Sequence, residues 1–465
     1  MTTPLWQHQQ DALAWLEGRH AALLHHDPGV GKSRVVVEYV ARHRPARTLI
    51  VAPLSVVPVW PSEFRKHWDD ERRPCVWTPP ENRTVFAKAQ AMDIWLRQNE
   101  NHGADSVAVL NYESAWREPM AATLLSFPWD LVVLDESQRA KAPGGKASRF
   151  LARLRSRADV RLCLSGTPFP HSPLDAYAQA RFLDPAVFGT SFTSFKARYA
   201  ILGGYAVNGR PVQITGWRDM DDWSRKVGSF THRVRREDVL ELPPFQHIDR
   251  DVTLPPAALK AYRQMARDLI AEIDAGTVTS ANAMVKVTRL AQLASGHAKI
   301  EETGAVVPLH TAKADALAEI LDELGPTEPV VVFCRFVASA EAALAAAKDA
   351  GRPVLRVDGT ANELGGHVWK PAPGEVLVAN YASGALGLDF TAGRYCVLYE
   401  STFNGGDYTQ ALLRVHRANQ TRSVAYYHLL AKDTIDRRVR DALDRKKDAV
   451  EAALAGLGAK ENVTG

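Results

Sequence analysis

The stretch His26-Asp27-Pro28-Gly29-Val30-Gly31-Lys32-Ser33 carries the residue types that hold a chain of phosphates. It lies between an apolar segment, Ala21 to Leu24, that reads as a buried strand, and Arg34 to Val40, which reads as a helix. Backbone N–H groups converge at such a helix start, and the helix dipole adds partial positive charge there. Gly29 and Gly31 supply the positive φ angles of a tight turn and leave room for phosphate against the backbone. Lys32 would reach the β- and γ-phosphates of a nucleotide, and the Ser33 hydroxyl would hold Mg²⁺. His26 stands where the general pattern has its first glycine. For this stretch alone, an ordinary turn ending in Gly-Lys-Ser is the competing reading.

Two adjacent carboxylates, Asp135 and Glu136, follow the apolar run Leu131-Val132-Val133-Leu134. Such a run is typical of a strand in a parallel sheet covered on both faces, and ligands bind at the carboxyl ends of those strands. Asp135 is placed to hold Mg²⁺, directly or through water. Glu136 is placed to orient and deprotonate the attacking water. Solvated acids at a strand exit would look the same in isolation; beside a Gly-Lys-Ser loop they read as a nucleotide-hydrolysing pair. Gln9 lies just upstream of the loop. Its amide can donate to and accept from an adenine edge, and a solvated helix glutamine is the alternative.

The elements that must position these groups alternate between strand and helix. Leu5 to Leu16 has helical spacing, with Leu5, Ala12, Trp15 and Leu16 on one face. Thr48 to Ala52 is a strand stopped by Pro53, Ser106 to Glu113 another with polar residues at its end, and Arg161 to Leu164 a third that ends in Ser165-Gly166-Thr167-Pro168. This alternation predicts a parallel α/β sheet. From Pro173 to Arg235 aromatic residues accumulate, which suggests a mostly helical insertion with one hairpin near Gly203-Gly204. Pro243-Pro244 and Pro255-Pro256 bracket an interdomain strap. Helices follow over 258–275 and 281–294. From about Thr311 a second α/β unit begins, with strands over 329–334, 354–357, 376–379 and 395–399. The tail from Thr434 to Leu457 reads as a basic amphipathic helix. The division expected is a first lobe over 1–170, a mostly helical insertion and strap over 171–300, and a second lobe with a C-terminal helix over 301–465.

Composition sets outer limits. With 465 residues, 46% hydrophobic and 24% charged, this is an ordinary globular chain, long enough for roughly two to four domains. A net charge of +4 permits a nucleic-acid partner without demanding one. Cys75, Cys163, Cys334 and Cys396 are far apart in sequence, so neither a cysteine metal site nor a disulfide framework is suggested. Cys163 and Cys334 lie in apolar runs and are expected in the core. The N-terminus lacks the basic and apolar regions of a signal peptide, and no run approaches ~18 apolar residues. No membrane span and a cytoplasmic location are expected.

These motifs, in this order, resemble helicase superfamily two, and within it the Swi/Snf family of double-stranded-DNA translocases. The resemblance runs from Leu5 to about Arg440. Leu5, His8 and Gln9 match the opening glutamine motif, and Asp27 to Ser33 matches a first motif that in this family also lacks the leading glycine. Val51-Ala52-Pro53-Leu54-Ser55 with Trp60 and Glu63-Phe64, then Asn111-Tyr112-Glu113, resemble the next two. Asp135-Glu136-Ser137-Gln138 resembles the acid box, with Ser-Gln where Ala-His is usual. Leu164 to Pro168 matches the coupling motif. Arg235-Arg236-Glu237-Asp238-Val239 before Leu242-Pro243 is the most family-specific piece. Asp358-Gly359-Thr360, the run Ser383 to Asp389 (Asp389 for a usual Asn) and Gln410 to Gln420 (Asn419 for a usual Gly) complete the set.

The resemblance implies two RecA-like parallel-sheet lobes in tandem with a mostly helical insertion between them, acting with ATP and Mg²⁺. It makes Arg414 and Arg417 arginine fingers that reach the nucleotide when the lobes close, with Gln410 among the nucleotide-binding residues. It implies phosphate-backbone contact with double-stranded DNA, with Ser55, Asn111, Thr360 and Ser383 as candidates and no sequence reading. Zinc motifs and nuclease signatures are missing from the sequence, so target choice would rest with a partner protein. A strand-separating DNA or RNA helicase, and a nucleotide-gated DNA clamp with little turnover, are the alternative functions.

Overall fold

Runs such as Leu131 to Leu134 and Val330 to Phe333 are wholly buried, as central strands of a doubly covered parallel sheet must be. The computed structural model describes residues 4–443 apart from 55, 69–71, 81–82, 141–143, 171, 208–209, 275–279, 301–302, 360, 365–367, 382–387, 419, 438 and 442. The chain folds as two compact units, Met1–Leu240 and Glu241–Lys447.

In the first unit, β1 (Ala21–His26), β2 (Arg47–Ala52), β3 (Cys75–Trp77), β4 (Ser106–Asn111), β5 (Trp129–Asp135) and β6 (Ala158–Ser165) are followed by a hairpin, β7 (Ala200–Val207) and β8 (Arg210–Trp217), and then β9 (Thr231–Val234). Apart from the antiparallel hairpin these strands form one all-parallel sheet of order β3-β4-β2-β5-β6-β1-β9. Side chains alternate between its faces. Leu49, Val51, Val132 and Leu134 enter one core, and Ile50, Ala52, Leu131 and Val133 enter the other. The second core is covered by α1 (Gln7–Leu16), α2 (Lys32–His43) and α3 (Val59–His67), through Leu13, Val36 and Trp60 among others. The first is covered by helices Val85–Asn101, Met120–Ser126 and Lys146–Leu154.

The second unit holds β10 (Phe245–Val252), a small antiparallel hairpin of β11 (His297–Lys299) and β12 (Val306–Pro308), then β13 (Val330–Cys334), β14 (Val354–Val357), β15 (Val376–Asn380), β16 (Tyr395–Leu398) and β17 (Val424–Ala431). Its six-stranded sheet, order β10-β17-β16-β13-β15-β14, is again all parallel. Helices Ala312–Glu323 and Val337–Asp349 cover one face and Gly405–Val415 the other. Lys313 is fully buried in this unit and pairs with the Asp436 carboxylate at 2.6 Å.

Strands β3, β9, β10, β11, β12 and β17 were not expected, and two of them replace a different reading. Phe245–Val252, read as an interdomain strap, is β10, paired along its whole length with β17. Thr231–Val234, read as the end of an insertion, is β9, paired with β1. Both are edge strands, and polar residues such as Asp249, Arg250, Asp251, His232 and Arg233 masked the strand pattern, as they do where one flank meets solvent. The segment 171–300 is thus shared between the two units. Cys163, Cys334 and Cys396 are buried and Cys75 is exposed. Among the described residues no helix is long and apolar enough to cross a membrane. The tail from 444 onward lies outside the described residues.

Candidate nucleotide site

Strand β1 delivers the chain to the phosphate loop, and Gly31 caps α2 at φ 83°. Gly29 also has positive φ, 90°. A Cβ on Gly31 would lie 2.3 Å from Gln9 Nε2, so a side chain there would displace the Gln9 amide, and φ 83° would strain it. Gln9 is buried rather than solvated. Its Nε2 donates to the Val30 carbonyl at 3.3 Å and its Oε1 accepts from the Trp6 amide at 3.0 Å. Lys32 Nζ donates to the carbonyls of His26, 2.8 Å, and Asp27, 3.4 Å. Ser33 follows in the first turn of α2 and is half-buried.

His26 belongs to β1 rather than to the turn. Its ring is buried and meets His232 of β9 at 2.9 Å, which explains why a glycine is not needed at this place. Burial, with His232 and Lys32 nearby, holds His26 well below the usual histidine range. Burial and the charges of Arg233 and Lys32 hold His25 at about 3. Both rings are therefore neutral, and neither adds charge beneath the loop. The segment Arg235–Val239 is stitched to the loop: the Arg236 amide donates to Asp27 Oδ2 at 3.0 Å, and the Asp27 amide donates to the Val234 carbonyl at 3.0 Å.

Asp135 ends β5, and strand alternation turns its carboxylate to the Leu131 and Val133 face. There Trp60 Nε1 donates to Oδ2 at 3.1 Å, while the Glu136 amide donates to Oδ1 at 3.0 Å. From the opposite core the Tyr112 hydroxyl donates to the Asp135 carbonyl at 2.9 Å. Burial, then the neighbouring Glu136 charge, pushes the Asp135 carboxyl up to about 7, and Lys32 opposes the rise. A cation beside it would favour the ionised form.

Glu136 turns the chain at φ 49°. Gln138 Nε2 donates to its Oε2 at 2.7 Å, the Ser165 hydroxyl donates to Gln138 Oε1 at 2.7 Å, and the Thr167 amide donates to Ser165 Oγ at 3.0 Å. Ser137 reaches Gln179 at 2.7 Å, whose amide donates to the Pro168 carbonyl at 2.6 Å. A Cβ on Gly166 would meet Pro28 Cδ at 2.5 Å. The turn after β6 therefore touches both the phosphate loop and the acid box. Gln138 and Gln179 were not singled out from the sequence; only the family comparison marked Gln138, as a departure.

The oxygen donors Ser33 and Asp135 fit Mg²⁺, which is held by one or two carboxylates together with substrate phosphates and water. Among the described residues no group of three His, Cys, Asp or Glu side chains could hold a metal ion.

In the second unit, Arg414 Nη1 and Arg417 Nη1 both donate to the Leu388 carbonyl, at 3.0 and 3.1 Å. Two cations side by side favour an anion near them. Gln410 lies half-buried one turn earlier on helix Gly405–Val415. Gln420 anchors the motif by donating to the carbonyls of Thr391, Gly393 and Val415. Asp389 caps a turn by accepting from the Thr391 amide and hydroxyl. Asn111 is buried and donates to Glu113 at 3.0 Å. Ser55, Thr360, Ser383 and Asn419 lie outside the described residues.

Family comparison matches residues 8–298 to the SNF2-related domain and residues 312–419 to the helicase conserved C-terminal domain. Protein p41 of Acyrthosiphon pisum secondary endosymbiont phage 1 is 25% identical, over 93% of this chain and 94% of its own. An uncharacterized ATP-dependent helicase of Mycoplasma pneumoniae is 22% identical over 97% of this chain, which spans only 42% of that protein. The Sulfolobus solfataricus SWI2/SNF2 ATPase core, solved in complex with double-stranded DNA, is 19% identical with a TM-score of 0.44, over 98% of this chain and 94% of that one. With the SNF2-related domain covering more than half of its length, the chain belongs to the SNF2-related family of helicase-like ATPases.

Proposed function

We propose that the protein is an Mg²⁺- and ATP-dependent motor that tracks double-stranded DNA and remodels protein–DNA complexes or branched DNA. The observation that supports this most is the hydrogen bond from the Arg236 amide to Asp27. The stretch that sets Swi/Snf translocases apart from general helicases is here part of the phosphate loop's own support.

In this reading the loop amides after Gly29 and Gly31 hold the phosphates, Lys32 leaves its two carbonyls for the β- and γ-phosphates, and Gln9 meets the adenine edge. Ser33 and Asp135 would hold Mg²⁺, which when bound supplies positive charge to the β- and γ-oxygens. Glu136 takes the proton of the attacking water, held in place by Gln138. Arg414 and Arg417 stabilise the charge of the transferred phosphoryl group, and Gln410 assists at the nucleotide. DNA is held by its backbone, with Ser55, Asn111, Thr360 and Ser383 contributing to phosphate contacts. The protein works in the cytoplasm, and a partner protein supplies the target.

Steady-state ATP hydrolysis with no nucleic acid, duplex DNA, single-stranded DNA and RNA tests the proposal. Duplex is expected to stimulate most, and Lys32→Ala and Glu136→Gln to abolish turnover. Greater stimulation by single strands or RNA would replace the proposal with a helicase, and nucleotide binding without turnover would replace it with a clamp.

A further inference from the structure

We infer that the hairpin of β7 and β8 is a self-association surface, on which β7 pairs antiparallel with β7 of a second copy of this chain about a two-fold axis. The inference goes beyond the motor reading and does not depend on it.

Strands β7 and β8 form a sheet of their own, and among the described residues no third strand joins it. A two-stranded hairpin is marginal in water, and three or more strands are needed for independent stability. The sequence from 200 to 217 is apolar and carries Arg210 as its single charged residue. Successive strand residues point to opposite faces. The neighbours Ile201 and Leu202 are 43% and 39% exposed, so both faces of the hairpin are open at this end. Edge strands are ordinarily blunted by charge or proline. Strand β8 has both, in Arg210 and Pro211, whereas β7 has neither. Register shifts after Ile201 and Gly203 bend the hairpin but bring no charge or proline into β7. The outer N–H and C=O row of β7 is therefore the edge left to pair.

The foot of the hairpin is firmly held. Past β8, the Arg218 amide donates to the Tyr199 carbonyl at 3.0 Å, and its guanidinium donates to the carbonyls of Arg198, at 3.1 Å, and Ala197. The Tyr199 hydroxyl donates to Asp222 at 2.6 Å, and Asp222 also pairs with Arg198 at 2.9 Å and with Arg225. A cavity of about 620 Å³ at this foot is lined by Arg198, Asp219, Met220, Asp221, Asp222 and Arg225. Asp222 is spent on its pairs, while Asp219 and Asp221 are exposed.

Charge selects the occupant. Nucleic acid is held by several Lys and Arg side chains against its phosphates, and the hairpin has one cation. A second copy presents the same uncharged edge, as an isologous two-fold interface requires. Antiparallel pairing of the two β7 strands sets the tip end of each hairpin, where β8 opens with Arg210, on the side of the other's foot, where Asp219 and Asp221 stand. Two marginal hairpins become one four-stranded sheet of order β8-β7-β7-β8, joined by main-chain hydrogen bonds.

The test is sedimentation velocity of the full chain between about 1 and 100 µM, as wild type, Leu202→Lys and Thr215→Lys. Thr215 is exposed on β8, so its substitution adds the same charge to the strand that does not pair. Hydrogen exchange over 200–207 is followed at both ends of the concentration range, with thermal midpoints and with duplex affinity by fluorescence anisotropy. The expected result is a dimer that forms with rising concentration and protects 200–207 as it does so. Leu202→Lys weakens it by about tenfold or more with the thermal midpoint kept, and Thr215→Lys changes it by no more than about twofold. A wild type that stays monomeric throughout overturns the inference. So does a dimer that Leu202→Lys leaves intact, or one that gives 200–207 no protection. Equal losses in both variants overturn the choice of β7 as the pairing edge. A Leu202→Lys chain that loses duplex affinity and keeps its dimer would assign the hairpin to nucleic acid instead. None of these failures touches duplex-stimulated ATP hydrolysis, so the motor reading stands or falls separately.

Discussion

Replacing Gln138 with Ala isolates what the link between the acid box and the turn after β6 contributes. The side chain makes two contacts of 2.7 Å, donating to the Glu136 carboxylate and accepting from the Ser165 hydroxyl. Glu136 also sits at φ 49°, a left-handed position that costs a non-glycine residue roughly 1–2 kcal/mol unless its surroundings hold it. A hydrogen bond to a charged group contributes about 1.5–3 kcal/mol, and each ~1.4 kcal/mol lost from the transition state is tenfold in rate. Gln138→Ala should therefore lower kcat for ATP by about ten- to a hundredfold. Because Gln138 does not belong to the phosphate loop, KM for ATP should stay within about twofold. Gln138→His, which keeps one donor and one acceptor, should retain most of the rate, and Gln138→Glu should lose more than Ala by setting a second carboxylate against Glu136. Coupled-enzyme ATPase assays with saturating duplex give all three. A kcat within twofold of wild type for Gln138→Ala would refute the link, as would a loss confined to KM.

Further expectations concern the loop, the buried pair and pH. Gly31→Ala forces a Cβ at φ 83° to within 2.3 Å of Gln9 Nε2, so fluorescent-nucleotide affinity should fall sharply, and the backbone strain should lower the thermal midpoint by about 2–4 °C. Lys313→Met leaves the Asp436 carboxylate buried without its cation, which should cost the second unit about 3–5 kcal/mol in urea unfolding. Burial, with Arg233 and Lys32 nearby, holds His25 at about 3. The unfolded chain binds that proton near 6.5, so it takes up more protons than the native state as pH falls. Stability is therefore full above about pH 6.5 and declines toward pH 3, by roughly 2 kcal/mol at pH 5 from His25 alone. His25→Gln should flatten that slope in the first unit, and an unchanged slope would count against the assignment.

Legibility from sequence followed the physics of each element. Central strands such as Leu131 to Leu134 are buried on both sides and announce themselves as unbroken apolar runs. The edge strands β9 and β10 do not, because solvent on one flank lets His232, Arg233, Asp249 and Asp251 stand in them. The places of the Gly29–Lys32 turn after β1 and of Asp135-Glu136 at the end of β5 were readable because the chemistry proposed for them needs particular residue types at strand ends. His26 departs from the general loop pattern but not from the family's, and its physical surroundings became legible when β9 placed His232 against it at 2.9 Å. Gln9 could not be assigned to surface or site by spacing, since its burial depends on where Val30 lies. The relay from Glu136 through Gln138 to Ser165 joins residues far apart in the chain, and only the pairing of β5 with β6 brings them together.

The most direct test of the account is a triplex-displacement assay beside a forked-duplex unwinding assay, each with ATP and with the Glu136→Gln variant as the control. The account predicts that wild-type protein strips a third strand from a duplex in an ATP-dependent manner and leaves the fork paired, and that Glu136→Gln does neither. Unwinding of the fork, or hydrolysis of ATP without displacement of the third strand, would contradict it.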